Sequence, residues 1–230
     1  MRRLKQSTSS LFDRSNERVK RFIPSEFGSN TNLPDVGNIA YLQPKIKFAH
    51  YVEEKAKEGL IDYTIINTGL CSNFEATLII GGFPEYAVKT EFYGIKFKER
   101  MFNCIGDGKQ LNTFTALPDV GKYVVAALKQ PDLTKNAEVF VSSFKSDYIS
   151  IIELLEKETG DKFTIHHETP EEQIKQGVPE QLVEMRSMLL DGRGILDTGG
   201  YKLWNDKFPE VKPLTLEEVV KESIRTFHET

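Results

Sequence analysis

The sequence predicts an α/β fold, part of a doubly wound parallel sheet with a smaller C-terminal α+β lobe. Three observations carry that expectation. A short apolar run, Phe22-Ile23, is reached through Val19, Lys20 and Arg21 and stopped by Pro24. Apolar residues then recur at helical spacing, Phe48, Tyr51, Val52 and Ala56, between Pro44 and Gly59. A β-branched and aromatic run, Tyr63 to Asn67, follows. Strand, loop, helix and strand over 18–67 make one βαβ unit with a right-handed crossover.

Each element has a local reason. The first strand, 18–23, ends at Pro24 because proline cannot donate to a ladder. Residues 28–40 are rich in Gly, Asn, Pro and Asp and read as a loop. Pro44 starts the helix, where its missing N–H is no loss, and Gly59 stops it. Phe74 to Ile80 reads as a short helix, Phe97 to Ile105 as a strand, and Gly106-Asp107-Gly108 as a hairpin turn with a returning strand at Thr113 to Thr115. Pro118 opens a helix through Leu128 with Val120, Tyr123, Val124, Ala127 and Leu128 on its apolar side, and Ala137 to Ser142 is a further strand. An amphipathic helix at 147–159 takes Ser146 or Asp147 as its cap, and Phe163 to His167 is a short strand. Pro170 to Gln176 and Pro179 to Leu190 read as polar helices. Thr215 with Glu218 forms a capping box that opens a closing helix to His228.

Composition narrows the function classes. The chain has 230 residues, a formal net charge of −4 and 39% hydrophobic residues, so nothing draws it to nucleic acid or to an anionic membrane. No apolar run has the length of a membrane span. Cys71 and Cys104 form neither a metal spacing nor a disulfide framework, which predicts a reducing, cytoplasmic compartment. Residues 1–16 carry Arg2, Arg3, Lys5 and a Ser-rich run, and read as a polar, flexible leader.

In an open α/β sheet, ligands sit outside the carboxyl ends of the strands. Pro24, Ser25, Glu26 and Phe27 stand at such an end, and Thr68-Gly69-Leu70-Cys71-Ser72-Asn73-Phe74 stands at the end of the next strand. Lys45 begins the crossover helix beside them, where burial and the helix N-terminus lower a lysine's pKa. Tyr41 and Lys45 have Tyr-x-x-x-Lys spacing, but Pro44 opposes a continuous helix through both. His166-His167 has no matched ligand for a metal, and neither cysteine has a basic neighbour in sequence.

The run Val19-Lys20-Arg21-Phe22-Ile23-Pro24-Ser25-Glu26-Phe27-Gly28 resembles the signature of the isoflavone reductase-like group within the NmrA-like atypical short-chain dehydrogenases. Lys45, Tyr63-Thr64-Ile65-Ile66, Gly106-Asp107-Gly108 and Asp119-Val120-Gly121 extend the likeness, which runs from Glu17 to Thr230. The resemblance implies a Rossmann-like part at 17–80 and 110–145 and a substrate lobe at 81–109 and 146–230. It implies NADPH as cofactor, contacted by Pro24, Ser25, Phe27, Thr68 and Gly69. It implies Lys45 as the catalytic residue, with Lys47 as the rival if the register slips, and Asn73 and Phe74 against a small-molecule substrate. No metal is implied. Gly106-Asp107-Gly108 and Asp119 become structural, the latter capping free N–H groups at a helix start; Trp204, Leu203 and Phe208 either cover an aromatic substrate or pack in a core.

Two departures stand out. The family's cofactor-contacting Arg is Ala49 here, with His50 beside it. No strand, Gly-x-x-Gly-x-x-Gly turn and helix precedes Val19, although that turn brings a pyrophosphate to a helix N-terminus. The expectation is an oxidoreductase that passes hydride from NADPH to a phenolic, quinone-like or carbonyl compound. The alternatives are a non-catalytic, dinucleotide-sensing regulator and a shortened family member with an open sheet edge at 18–23, prone to form a homo-oligomer.

Overall fold

The computed structural model describes residues 19–71 and 94–229. The first strand, β1 (Arg21–Phe22), lies parallel to β2 (Asp62–Asn67), and β2 lies parallel to β7 (Ala137–Phe140), in the order β1-β2-β7. Register runs Phe22 to Tyr63 on one side of β2 and Ile66 to Val139 on the other. Between β1 and β2 the chain forms a single helical turn, α1 (Pro34–Gly37), a three-ten turn (Ala40–Leu42) and then α2 (Gln43–Lys57).

Alternation along the strands decides which helix covers which face. Phe22 and Tyr63 point to α2, where they pack with Val52, Phe48 and Tyr51; the Phe22 and Phe48 rings meet edge-on at 5.9 Å. Ile66 and Val139 point the other way, onto Tyr123, Ala126 and Ala127 of α3 (Leu117–Lys129). Phe208 and Trp204 join that second cluster, so core packing accounts for both. Burial on both faces is why β2 reads as a continuous apolar run.

The remaining strands form two further sheets. One has the order β3-β6-β8, from β3 (Leu70–Cys71), β6 (Asn112–Thr115) and β8 (Phe144–Ser146). The other has the order β4-β5-β9, from β4 (Ile95–Lys96), β5 (Met101–Ile105) and β9 (Thr164–Glu168). Helix α5 (Tyr148–Thr159) and helix α7 (Glu180–Leu190) contribute to one large core with Phe97, Phe102, Cys104, Phe114 and Phe163. Val36, Ile39 and Leu42 enter the same core, so the loop after β1 is anchored to the C-terminal part of the chain. The short helices α4 (Pro131–Thr134) and α6 (Pro170–Lys175) and the closing helix α8 (Leu216–Glu229) complete the order.

Several sequence expectations are corrected here. Gly106-Asp107-Gly108 is a turn but not a hairpin: β5 pairs with β4 and β9, whereas β6 pairs with β3 and β8. The Gly108 carbonyl instead accepts the first N–H groups of α5, from Tyr148 at 3.1 Å and Ile149 at 3.2 Å. A side chain at Gly108 would stand 2.8 Å from Cys104 Sγ, so glycine is needed for the close approach. The expected strand over 97–105 is shorter: β5 begins at Met101, and 97–100, with Arg100 at φ +53°, turn the chain between β4 and β5. The first strand spans two residues rather than six. Asp147, not Ser146, caps α5 through Ser150 N–H at 2.8 Å. The capping box at Thr215 and Glu218 is present, and a second one, Thr169 with Glu172, opens α6. The leader at 1–16, the helix expected at 74–80, and Asn73 and Phe74 lie outside the described residues.

Candidate functional site

The carboxyl ends of β1 and β2 meet. After Pro24, which is buried, the chain tightens through a Glu26 N–H to Pro24 carbonyl bond of 2.8 Å. Phe27 adopts φ +33° and donates its N–H to the Ile66 carbonyl at 2.9 Å. Gly28 then accepts from Thr68 N–H at 3.2 Å and from Gly69 N–H at 2.9 Å. The segments 24–28 and 68–69, four elements apart in reading order, thus form one hydrogen-bonded rim.

Lys45 lies in the first turn of α2, half-buried, and its ammonium donates to the Glu26 carbonyl at 2.5 Å. A side chain on Gly28 would stand 3.9 Å from Lys45 Nζ. Beneath this bond the Glu26 side chain is only 5% exposed. Burial pushes its carboxyl above the ordinary value, and the Lys45 charge partly opposes that. Glu138 of β7 adds a second carboxylate. Its two oxygens accept from Asn67 Nδ2 at 2.6 Å and Asn32 Nδ2 at 2.5 Å. Burial raises its pKa, the two amides lower it, and the charges of Glu53 and Glu26 raise it again. A polar layer of Glu26, Asn67 and Glu138 therefore sits under the rim, with the exposed Asn32 closing its outer end.

The other candidates are placed differently. Ser25 is exposed at the mouth, whereas Thr68 is fully buried. Gly69, with φ +62°, passes so close to Thr113 that a side chain would stand 2.3 Å from its carbonyl oxygen. Tyr41 does not converge with Lys45: its hydroxyl meets Met188 Sδ of α7 at 3.9 Å, beside Ser29 Oγ at 4.0 Å from the same sulfur. Burial and the Glu184 charge push the Tyr41 phenol up to about 12, with Arg193 opposing. Ala49 is buried in α2 and His50 is exposed. Asp119 is buried and structural, yet it does not cap its own helix; its Oδ2 accepts from Leu214 N–H at 2.7 Å and Ser143 Oγ at 2.6 Å. His167 Nδ1 lies 2.7 Å from the Gly106 carbonyl. The Cys104 thiol is pushed up to about 12, chiefly by burial.

The NmrA-like family model matches residues 15–218. The chain belongs to the NmrA-like family. Among curated proteins it is 27% identical over 222 residues to phenylcoumaran benzylic ether reductase Betv6 of Betula pendula, covering 90% of this chain and 66% of that one. It is 26% identical over 157 residues to the oxidoreductase aprR of Aspergillus flavus, covering 67% of this chain and 48% of that one. This NmrA-like chain therefore spans two thirds or less of the length of these relatives. Among solved structures, the leucoanthocyanidin reductase of Vitis vinifera in ternary complex superposes with a TM-score of 0.64 at 18% identity, over 92% of this chain and 71% of that one. An isoflavone reductase structure gives 0.65 at 20% identity, over 89% and 66%. The fold is Rossmann-like α/β.

For an NmrA-like chain the group to test is a nicotinamide dinucleotide. The exposed Ser25 and the Lys45 ammonium border the rim, whereas the Phe27 ring packs against the cluster of Ile66, Tyr123 and Val139. Three helices that directly follow strands open on carboxylates, Asp119 in α3, Asp147 before α5, and Glu171 and Glu172 in α6. Negative side chains in these first turns repel a second anion. Glu138, Asn67 and Asn32 were not singled out from the sequence. For Glu138 and Asn67 the available signal was a polar residue inside strands buried on both faces; Asn32, in an exposed turn, carried none.

Proposed function

We propose that this chain is an NADPH-dependent oxidoreductase-like protein acting on a small phenolic, quinone-like or carbonyl substrate, with Lys45 handling the proton. One observation carries the reading: the Lys45 ammonium is anchored to the Glu26 carbonyl at the rim where residues 24–28 and 68–69 join. NADPH, when bound, supplies the hydride. An ammonium anchored at the rim keeps a fixed direction, and can answer negative charge that develops on a substrate oxygen or deliver a proton to it. Pro24, Ser25, Phe27, Thr68 and Gly69 border the cofactor ring in this reading, and Asn73 and Phe74 the substrate. The relatives' names, a phenylcoumaran benzylic ether reductase and a leucoanthocyanidin reductase, support an aromatic, oxygen-bearing substrate. A reducing, cytoplasmic compartment suits Cys104 as a buried free thiol.

Titration calorimetry with NADPH, against NADH, tests the first step. Folded protein that binds neither refutes the reading. If NADPH is consumed with a phenolic or carbonyl panel, Lys45→Ala should lower turnover by about 10²–10⁴-fold with folding intact. Unchanged turnover removes Lys45 from the mechanism. Binding without consumption points to the second reading, a dinucleotide-sensing regulator. Ala49 favours that reading, since it is buried in α2 where the resemblance expects a cofactor-contacting arginine.

A further inference from the structure

Glu26 is almost fully buried, yet no hydrogen bond or ion pair among the described residues engages its carboxyl. The Lys45 ammonium goes instead to the backbone carbonyl of the same residue. Glu138 of β7 is the opposite case. Its two oxygens accept from Asn67 Nδ2 at 2.6 Å and from Asn32 Nδ2 at 2.5 Å. Donors aimed at both oxygens favour a charged carboxylate, whereas a buried carboxyl with no donor is favoured as the neutral acid. The two groups also lie close enough for the charge of Glu26 to oppose ionisation of Glu138. The layer under the rim therefore divides its protons: Glu138 carries the charge and Glu26 holds a proton. Lys45 is the charged group of α2 that acts on Glu26. Glu53 of α2 acts on Glu138 and on Tyr63 of β2, which Glu138 also faces.

We propose that the Glu26 carboxyl is the proton source that recharges Lys45 in each turnover. The inference rests on Lys45 handling the proton at this rim. Lys45 gives one N–H proton to the substrate oxygen and is left as a neutral amine. Rotation about its terminal bonds carries Nζ from the Glu26 carbonyl to the carboxyl of the same residue. The carboxyl O–H bond then breaks, the amine takes the proton, and an ammonium and a carboxylate remain beside each other. The carboxylate regains a proton from water at the mouth, where Ser25 and Asn32 are exposed. Each turnover thus consumes one proton from water beside the hydride that NADPH supplies. Glu26 acts through Lys45 and is a positioning residue for the proton rather than a group that touches substrate. A carboxyl kept only for structure would accept hydrogen bonds, as that of Asp119 does from Leu214 N–H and Ser143 Oγ.

Competitive labelling with acetic anhydride against pH, read by peptide mass spectrometry, tests the link without turnover. The exposed Lys47 serves as internal standard. In Glu26→Gln, Lys45 should become reactive at lower pH than in wild type, because the carboxylate that would hold its ammonium is gone. Coincident curves overturn the proposal and leave Lys45 in its role. Steady-state kinetics with NADPH supply the second readout. Glu26→Gln should lower kcat about 10²-fold with KM nearly unchanged, and should lose the fall in kcat that wild type shows as pH rises through ionisation of Glu26. Glu26→Asp should restore part of kcat and the fall with pH. An unchanged kcat and pH profile, or a change in KM alone, overturns the proposal. Full turnover by Lys45→Ala overturns instead the reading on which it rests, and the relay with it, even where the labelling curves differ.

Discussion

Replacing Asp119 by alanine should cost about 3–5 kcal/mol of folding stability, the range for breaking a buried, hydrogen-bonded charge. The carboxylate is fully buried and meets three groups: Leu214 N–H at 2.7 Å, Ser143 Oγ at 2.6 Å and Lys122 Nζ at 2.7 Å. Lys122 is 46% exposed and can turn to water, so its share is about 1 kcal/mol or less. The loss sits with the other two. Each donor left without an acceptor away from water costs about 1–3 kcal/mol. The Ser143 hydroxyl also accepts from Ala116 N–H at 2.9 Å, so its displacement loosens the start of α3. Equilibrium urea denaturation of wild type, Asp119→Ala and Lys122→Met measures this. Lys122→Met should change little. A loss below about 1 kcal/mol for Asp119→Ala, at an unchanged m-value, would falsify the assignment of the stability to these two partly buried donors.

Two further perturbations separate neighbouring causes. Gly69→Ala forces a side chain into φ +62° and within 2.3 Å of the Thr113 carbonyl oxygen, whereas Gly59→Ala meets φ +71° with open space. The second should cost only the left-handed conformation, about 1–2 kcal/mol, and the first clearly more; equal losses in the same urea assay would show that the close approach relaxes freely. Glu26→Gln tests the buried carboxyl. A raised folded-state pKa means that the native protein holds the proton more tightly, so its contribution is full below the ordinary value of 4.5 and is lost as pH rises through the raised value. Thermal melts should therefore show Glu26→Gln gaining on wild type as pH rises from acid to neutral, with Glu138, Glu53 and Lys45 kept in place. A variant whose relative stability falls over that range would mean that the Lys45 attraction outweighs burial.

Much of the sheet was legible because its signals are local. A proline after two apolar residues, helical spacing after Pro44 and a β-branched run at 63–67 each obey short-range rules. The Thr215 and Glu218 capping box is equally local. The turn at Gly106 was legible as a turn, but its partner was not. Whether β6 folds back on β5 depends on strands many residues away, and β9 takes the place beside β5. The candidate site shows the same division. The shared rim of 24–28 and 68–69 follows from parallel strands ending together. The polar layer beneath it depends on Glu138 reaching Asn67 and Asn32 from β7, which no spacing announces. Tyr41 and Lys45 have the right separation along the chain, yet the three-ten turn before α2 sends their side chains to Met188 and Glu26.

The contact between Ser29 and Met188 joins positions 159 residues apart. Closing so long a loop costs chain entropy before any contact rewards it, and such pairings form late in folding. On a growing chain, the mouth beside Tyr41 waits for α7 to emerge, while β1, α2 and β2 can already pair. Proton exchange of backbone amides should therefore find α7 among the first segments to open and the last to gain protection during refolding.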